Sequence, residues 1–342
     1  MKRQTAILFV VTIVLMSTIS LLSAPAPESG DWTMRKSDEA GKVEFSLMQS
    51  SKHHNSQNSS TWPVTAFAGL DSATAARHDV RFTITRDAGK FDCDGFLVNG
   101  EGAGIFHFTA DGRYTEAMAG LGFRGIDGEK QYEMAVQDVS VAFAREMAGE
   151  HLRGLDTDKL IEFRIFGVDS KFIHELRDAG LPADSSARLV EFKIHGVTPE
   201  FARWVKQQGY AADEEKLVEL RIHGATPEFV AAMAKAGYSH IDLEKLIEFR
   251  IHGVSPEFVD DLAKQGYQHL DPEKLVEFRI HGVSPEFIAK IHDLGYTHPD
   301  PEKLVEMRIH NVTPEYIASM QAKGIKDLSV DKLVEMRIHG IE

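Results

Sequence analysis

The period of the apolar positions changes along the chain. Between residues 42 and 109 it is two. Val43, Phe45 and Leu47 alternate with polar residues in KVEFSL, Val80, Phe82 and Ile84 do so in VRFTIT, and Phe106 and Phe108 alternate with Ile105 and His107 in GIFHFT. Such alternation predicts half-buried antiparallel strands. Asp87-Ala88-Gly89, Val98-Asn99-Gly100 and Glu101-Gly102 mark turns between them. GKFDCDGFLVNGEGAGIFHF thus reads as a strand, a Gly-rich turn and a strand. It lacks the Gly-Lys-Ser/Thr and the following helix that a phosphate loop requires. The polar run 50–62 (SSKHHNSQNSSTW) predicts a loop, with His53 and His54 solvated rather than metal-bound.

From residue 112 onward one phrase returns. LVEFRIHGVSPEF at 275–287 recurs with small edits from 160, 189, 217, 246 and 304, and a last time from 333. Gly167, Gly196, Gly224, Gly253, Gly282, Asn311 and Gly340 mark a period of 28 or 29 residues, the signature of a repeat array. Stepping back from Phe172 by the same interval reaches Phe143 and then Tyr114, so worn copies extend the array to residue 112.

Within the unit 255–283, Ser255, Pro256 and Glu257 form a helix start, and Gly266 a stop followed by Tyr267. Asp271, Pro272 and Glu273 form a second start, and Gly282 a second stop. The expected fold is therefore α+β. A small antiparallel β domain at 30–111 precedes an αα-repeat solenoid of short helices at 112–342. A leucine-rich-repeat-like β/α solenoid is the competing expectation, because LVEFRIHGV also fits L-x-x-L-x-L and EFRIH alternates.

Residues 1–26 hold a basic start at Lys2 and Arg3, a charge-free apolar stretch from Ala6 to Leu22, and small residues at Ser23, Ala24 and Ala26. These are the parts of a signal peptide, although the stretch is also nearly long enough to be a membrane anchor. Either places the rest of the chain outside the cytoplasm, as a periplasmic, secreted or membrane-anchored protein. The 342 residues carry a net charge of −14, which disfavours nucleic acid as a partner. The single cysteine, Cys93, excludes an intramolecular disulfide and a Cys-based zinc site.

Three polar ladders run through the repeats. One is glutamate (Glu162, Glu191, Glu219, Glu248, Glu277, Glu306, Glu335) and one is basic (Arg164, Lys193, Arg221, Arg250, Arg279, Arg308, Arg337). The third is histidine: His195, His223, His252, His281, His310 and His339. The plain expectation is that Glu and Arg pair between units while His bonds a helix-end carbonyl. The sharper one makes the His and Arg ladders an interaction edge, on which histidines charging near pH 6 would give a pH response. Stacked helices about 8–10 Å apart hold equivalent histidines too far apart to share a zinc ion with ligands at about 2.0–2.1 Å. No metal or cofactor is expected. HExxH and GxSxG are absent, His174-Glu175-Leu176-Arg177-Asp178 lacks the second histidine, and no enzyme activity is expected.

The RIHGVTPEF-type phrase resembles the tandem repeat of certain bacterial envelope proteins. It is also similar to the extracytoplasmic tail of BlaR-type sensor metallopeptidases of β-lactam resistance. The likeness covers 112–342, best from Leu189 to Gly340, and the strand segment resembles the companion domain of such proteins. The chain lacks their HExxH, so peptidase activity does not carry over. A helix-hairpin-helix DNA module would need a second Gly where Thr198, Thr226, Ser255, Ser284 or Thr313 stands.

The expected function is a non-catalytic extracytoplasmic scaffold that binds another protein or an envelope polymer. The alternatives are a self-assembling structural protein, associating through the last repeat around Met336 and Ile338, and a regulator of a membrane-bound peptidase or sensor.

Overall fold

The computed structural model describes residues 29–50, 55–71 and 75–341. The N-terminal segment and His53-His54 lie outside them. No helix among the described residues is long and apolar enough to cross a membrane. Six strands, β1 (Ser29–Lys36), β2 (Lys42–Ser50), β3 (Asn55–Pro63), β4 (His78–Arg86), β5 (Gly89–Val98) and β6 (Glu101–Ala110), form one antiparallel sheet in the order β3-β2-β1-β6-β5-β4. Helices in tandem follow, so the chain is α+β with a helical repeat array.

The strand order is that of a meander bent into a ring, with its seam between β3 and β4. The chain after β3 fills that seam. Ala68 exchanges both backbone hydrogen bonds with Thr83 of β4, and the Arg86 guanidinium lies 4.5 Å from the Trp62 ring centre of β3. The interior is aromatic. Trp32, Phe45, Phe67 and Phe82 meet at ring-centre distances of 5.0 to 6.1 Å, in mostly edge-on pairs. The expected alternation holds for Val80, Phe82, Ile84, Phe106 and Phe108. The glycines of β5 and β6 are strand residues that make room. A Cβ on Gly95 or Gly104 would come within 2.5 or 2.7 Å of the Trp32 indole. The turn itself is Asn99-Gly100, both at positive φ, as a two-residue hairpin requires.

One sequence expectation changes here, and one strand is new. The run 50–62 is a strand over Asn55–Pro63, paired along its whole length with β2. Its backbone bonds stabilise it, while Trp62 anchors it in the aromatic interior. Ser29–Lys36, to which the sequence reading assigns no element, is the strand between β2 and β6, with Trp32 and Met34 buried.

The helices are α1 (Gly112–Gly120), α2 (Gly128–Val136), α3 (Val141–Gly149), α4 (Thr157–Phe166), α5 (Ser170–Asp178), α6 (Ser186–His195), α7 (Pro199–Gln207) and α8 (Glu214–Ile222). They continue as α9 (Pro227–Lys235), α10 (Leu243–His252), α11 (Pro256–Lys264), α12 (Pro272–His281), α13 (Pro285–Asp293), α14 (Pro301–Ile309), α15 (Pro314–Ala322) and α16 (Val330–Ile338). The LVEFRI stretch is helical in every copy, with the following residue in or just past the last turn, which overturns the leucine-rich-repeat alternative. Asp213 and Asp242 each cap such a helix, and Asp-Pro-Glu opens it at α12 and α14, where strand geometry would not form.

The chain divides into two compact units, one through Ile165 and one from Phe166. The first therefore includes α1 to α3 and most of α4 along with the sheet. In it, α2 covers β5 and β6: the Tyr132 ring packs against Phe91, Phe106 and Phe108. Gln131 Nε2 donates to the carbonyls of Ala88 and Asp111, each at 2.7 Å. In the second unit alternate helices stack on each other: α6, α8, α10, α12, α14 and α16 form one series, and α9, α11, α13 and α15 another. Phe192, Phe249 and Phe278 are fully buried along the first series. Burial of a side chain of this size is worth about 1.5–3 kcal/mol relative to exposure.

Candidate functional site

The recurring phrase is first of all a joint. In the second unit each odd-numbered helix from α7 starts with a Ser or Thr whose hydroxyl accepts the N–H of the aromatic residue three positions on. Ser255 does so from Phe258 at 3.2 Å and Ser284 from Phe287 at 3.1 Å. Such a cap contributes about 1 kcal/mol. Each RIHG turn ends in the left-handed region, with Gly253 and Gly282 at φ 72°. The N–H of the residue after the glycine then donates back to the carbonyl of the buried residue five positions earlier: Val254 to Phe249 and Val283 to Phe278, both at 2.8 Å.

The arginine of the next unit closes the joint from outside. Arg250 Nε donates to the His223 carbonyl at 3.1 Å, Arg279 to His252 at 3.2 Å and Arg308 to His281 at 3.2 Å. The same guanidiniums lie 4.8–5.0 Å from the ring centres of Phe229, Phe258 and Phe287. Arg221 repeats this with His195 and Phe201, and Lys193 lies over Phe172. Arg337 lies over Tyr316 at 4.7 Å. Within the first unit Arg164 bonds the Gln137 carbonyl and lies over Phe143. A cation held over a ring and at a helix C-terminus is favoured by both the ring quadrupole and the helix dipole.

Glutamate does not pair with these arginines, contrary to expectation. Lysine takes it instead. Lys245 Nζ lies 2.5 Å from Glu248 of its own helix and 3.4 Å from Glu273 of the next. Lys274 bridges Glu277 and Glu302, Lys303 bridges Glu306 and Asp331, and Lys216 bridges Glu219 and Glu244. The bridging lysines are 17–34% exposed, while the carboxylates they reach on the next helix, Glu244, Glu273, Glu302 and Asp331, are 67–75% exposed. Glu273 and Glu302 are held below the ordinary glutamate range, first by a bond to their own backbone N–H at the helix start and then by the neighbouring lysine.

The residue between the basic residue and histidine is one the sequence reading singled out only at Ile338. Ile194, Ile222, Ile251, Ile280, Ile309 and Ile338 are 49–59% exposed, one per unit at the same place. Scattered exposed apolar residues need no explanation, but a row in register along stacked helices marks an interaction face. The signal was present in EFRIH. Read at 3.6 residues per turn, the isoleucine lies about 200° around the helix from the buried phenylalanine two positions earlier. Glu244, Glu248 and Ile251 stand at i, i+4 and i+7 and so share one outward face. α8, α12, α14 and α16 repeat it with Glu215/Glu219/Ile222, Glu273/Glu277/Ile280, Glu302/Glu306/Ile309 and Asp331/Glu335/Ile338.

The histidine row flanks the isoleucines. His195, His223, His252, His281 and His310 are half-buried and His339 is exposed. The backbone carbonyls of His195, His223, His252 and His281, not their rings, supply the bonds at the joint. Met336 is buried, whereas Ile338 is the last member of the exposed row.

A histidine outside the row has a perturbed, partly buried environment. His292 of α13 stacks with Tyr267 and lies 5.2 Å from the His298 ring, with Nε2 buried and without a partner. Burial, and then His298, press its pKa below the ordinary histidine value, against a smaller opposing pull from Asp293. Cys93 is fully buried, and burial raises its thiol far out of the reactive range. Among the described residues no three His, Cys, Asp or Glu side chains converge as a metal set. In the first unit, Phe123, Arg124, His151, Leu152 and Asp156 line an open cleft of about 420 Å³.

Comparison with protein-family models, with curated proteins and with solved structures returned no match.

Proposed function

We propose that this protein is a non-catalytic binding scaffold, and that its repeat array engages another protein through the isoleucine row of the α6–α16 series. The observation that carries the reading is the half-exposure of the same isoleucine in six successive units, where packing does not require an apolar side chain. The arginine row serves the joints, and the histidine row forms the margin of the apolar strip. The proposal includes export, from the basic and apolar start of the chain, so the partner is an extracytoplasmic one. Regulation of a membrane-bound peptidase or sensor is a special case that would use the same face.

The test is capture from an envelope extract by the full chain and by a variant with Ile222→Ser, Ile251→Ser and Ile280→Ser. Each substitution is on the surface and should change stability by no more than about 0.5 kcal/mol. Circular dichroism and the unfolding midpoint should therefore stay near the parent's. A partner retained by the parent and lost by the variant supports the reading. The same retained set for both would refute it.

A further inference from the structure

We infer that the isoleucine face recognises a cationic amphipathic protein segment, one with an apolar stripe flanked on one side by lysine or arginine. This rests on the reading of the row as a binding face and adds the chemistry of its occupant.

The first argument is the charge that the face displays. Lys216, Lys245, Lys274 and Lys303 are each drawn in between two carboxylates, one on its own helix and one on the next. The carboxylates at the helix starts stand out into water. Glu244, Glu273, Glu302 and Asp331 keep 67–75% of their side-chain surface, against 17–34% for the lysines that touch them. With two carboxylates to each of these lysines, the face carries a surplus of negative charge and presents it outward. An approaching partner meets a carboxylate row and an isoleucine row, with the ammonium groups beneath. Anionic lipid and nucleic acid are repelled by such a face. A second copy of the chain would set the same surplus of carboxylates against itself.

The second argument is spacing. The carboxylate and the isoleucine of one helix are seven residues apart, as in Glu273 and Ile280. At 1.5 Å per residue that is about 10 Å. A helix with its side chains is about 10–12 Å across. Laid over the stacked helices, it would rest one flank on the isoleucines and the other on the carboxylates. Its heptads advance about 10.5 Å, close to the 8–10 Å between stacked helices, so one apolar residue per heptad keeps step with successive isoleucines over several units.

The probe is a dye-labelled synthetic helix of four heptads, with leucine at one position per heptad and lysine along the adjacent flank. It is titrated with the full-length chain by fluorescence anisotropy. Two controls replace every lysine by glutamate or every leucine by serine. The expected result is saturable binding of the lysine peptide, weakened about tenfold or more by either control, by high salt, or by the triple isoleucine variant. Glu273→Gln with Glu302→Gln should weaken binding and flatten its salt dependence while leaving the helical signal unchanged.

Equal affinity for the lysine and glutamate peptides would overturn the inference. So would concentration-dependent self-association that the isoleucine variant abolishes and that excludes the peptide, because the occupant would then be a second copy. If the peptide fails to bind while the isoleucine variant still loses its extract partner, the inference falls and the binding face stands. If the variant behaves as the parent in both experiments, both fall.

Discussion

At the joint between units, a single glycine meets two requirements. Gly253 sits at φ 72°, and a Cβ there would lie 2.7 Å from Nη2 of Arg279. Gly196, Gly224 and Gly282 face the next unit's arginine in the same way. Gly167, whose successor carries Lys193, has open space instead. Asn311 tests the argument within the molecule. It holds the same left-handed turn at φ 56°, and Arg337 Nε beside it is buried without a partner. Asn311→Gly should therefore raise stability by up to about 1 kcal/mol, by relieving the turn and freeing the guanidinium to reach the His310 carbonyl. Gly253→Ala should cost more than about 1 kcal/mol, since the turn is strained whatever the space. Denaturant unfolding of both variants measures the pair, and a stabilising Gly253→Ala would contradict the account.

Among the helices, α2 shows how a repeat is refitted to a different neighbour. Asp127-Gly128-Glu129-Lys130 has the spacing of Asp242-Leu243-Glu244-Lys245, and Lys130 bridges Glu133 and Asp158 as the later lysines do. Where later units bury leucine, α2 has Gln131, which donates to two carbonyls at the margin of the sheet. Gln131→Leu restores the repeat's usual residue, yet it should destabilise by about 1–3 kcal/mol because those acceptors lose their donor away from water. An unchanged chemical-denaturation midpoint would show that solvent replaces the bonds.

The same contrast explains what the sequence disclosed. Helix starts and stops were legible because Ser255, Pro256, Asp271 and Gly282 act on their own backbone. β3 was not, because its Ser and Asn side chains say nothing about the β2 register that makes it a strand. The Glu–Lys pairing was hidden because Lys245 and Glu273 lie on different helices. The isoleucine row was legible once the helical period was fixed, but EFRIH also fits a strand, and the two periods place Ile251 on opposite sides.

Across the whole molecule, repetition turns small local effects into a pH profile. Glu257, Glu273, Glu286 and Glu302 all titrate below the ordinary value of 4.5, Glu286 chiefly because of the Ser284 hydroxyl and the other three chiefly because of a bond to their own backbone N–H. A carboxyl depressed in the folded state supports folding above its unfolded pKa and withdraws that support as pH falls through the lower folded value. Lys216 and Lys245 are raised above 10.5, chiefly by Glu219 and Glu248, so their support is complete below 10.5 and is lost as pH climbs through the higher folded value. His292, depressed by burial, adds a loss as pH drops below its ordinary 6.5. The thermal midpoint should therefore be level between about pH 7 and 9. It should decline gently below 6.5 and steeply below 4.5, and fall again above 10.5. His292→Gln should remove the gentle decline alone. A midpoint that rises on acidification to pH 4.5 would contradict these signs.

The joint also bears on how such a chain changes over generations. Its bonds run from an arginine to the carbonyl and ring of the preceding unit, and they are much the same at every step from Arg221 to Arg308. Recombination between neighbouring copies, which removes or duplicates a stretch such as 255–283, would reseat the same arginine on an equivalent carbonyl. The number of units is then a variable that the fold leaves free, and the length of the isoleucine row can follow the length of whatever it holds.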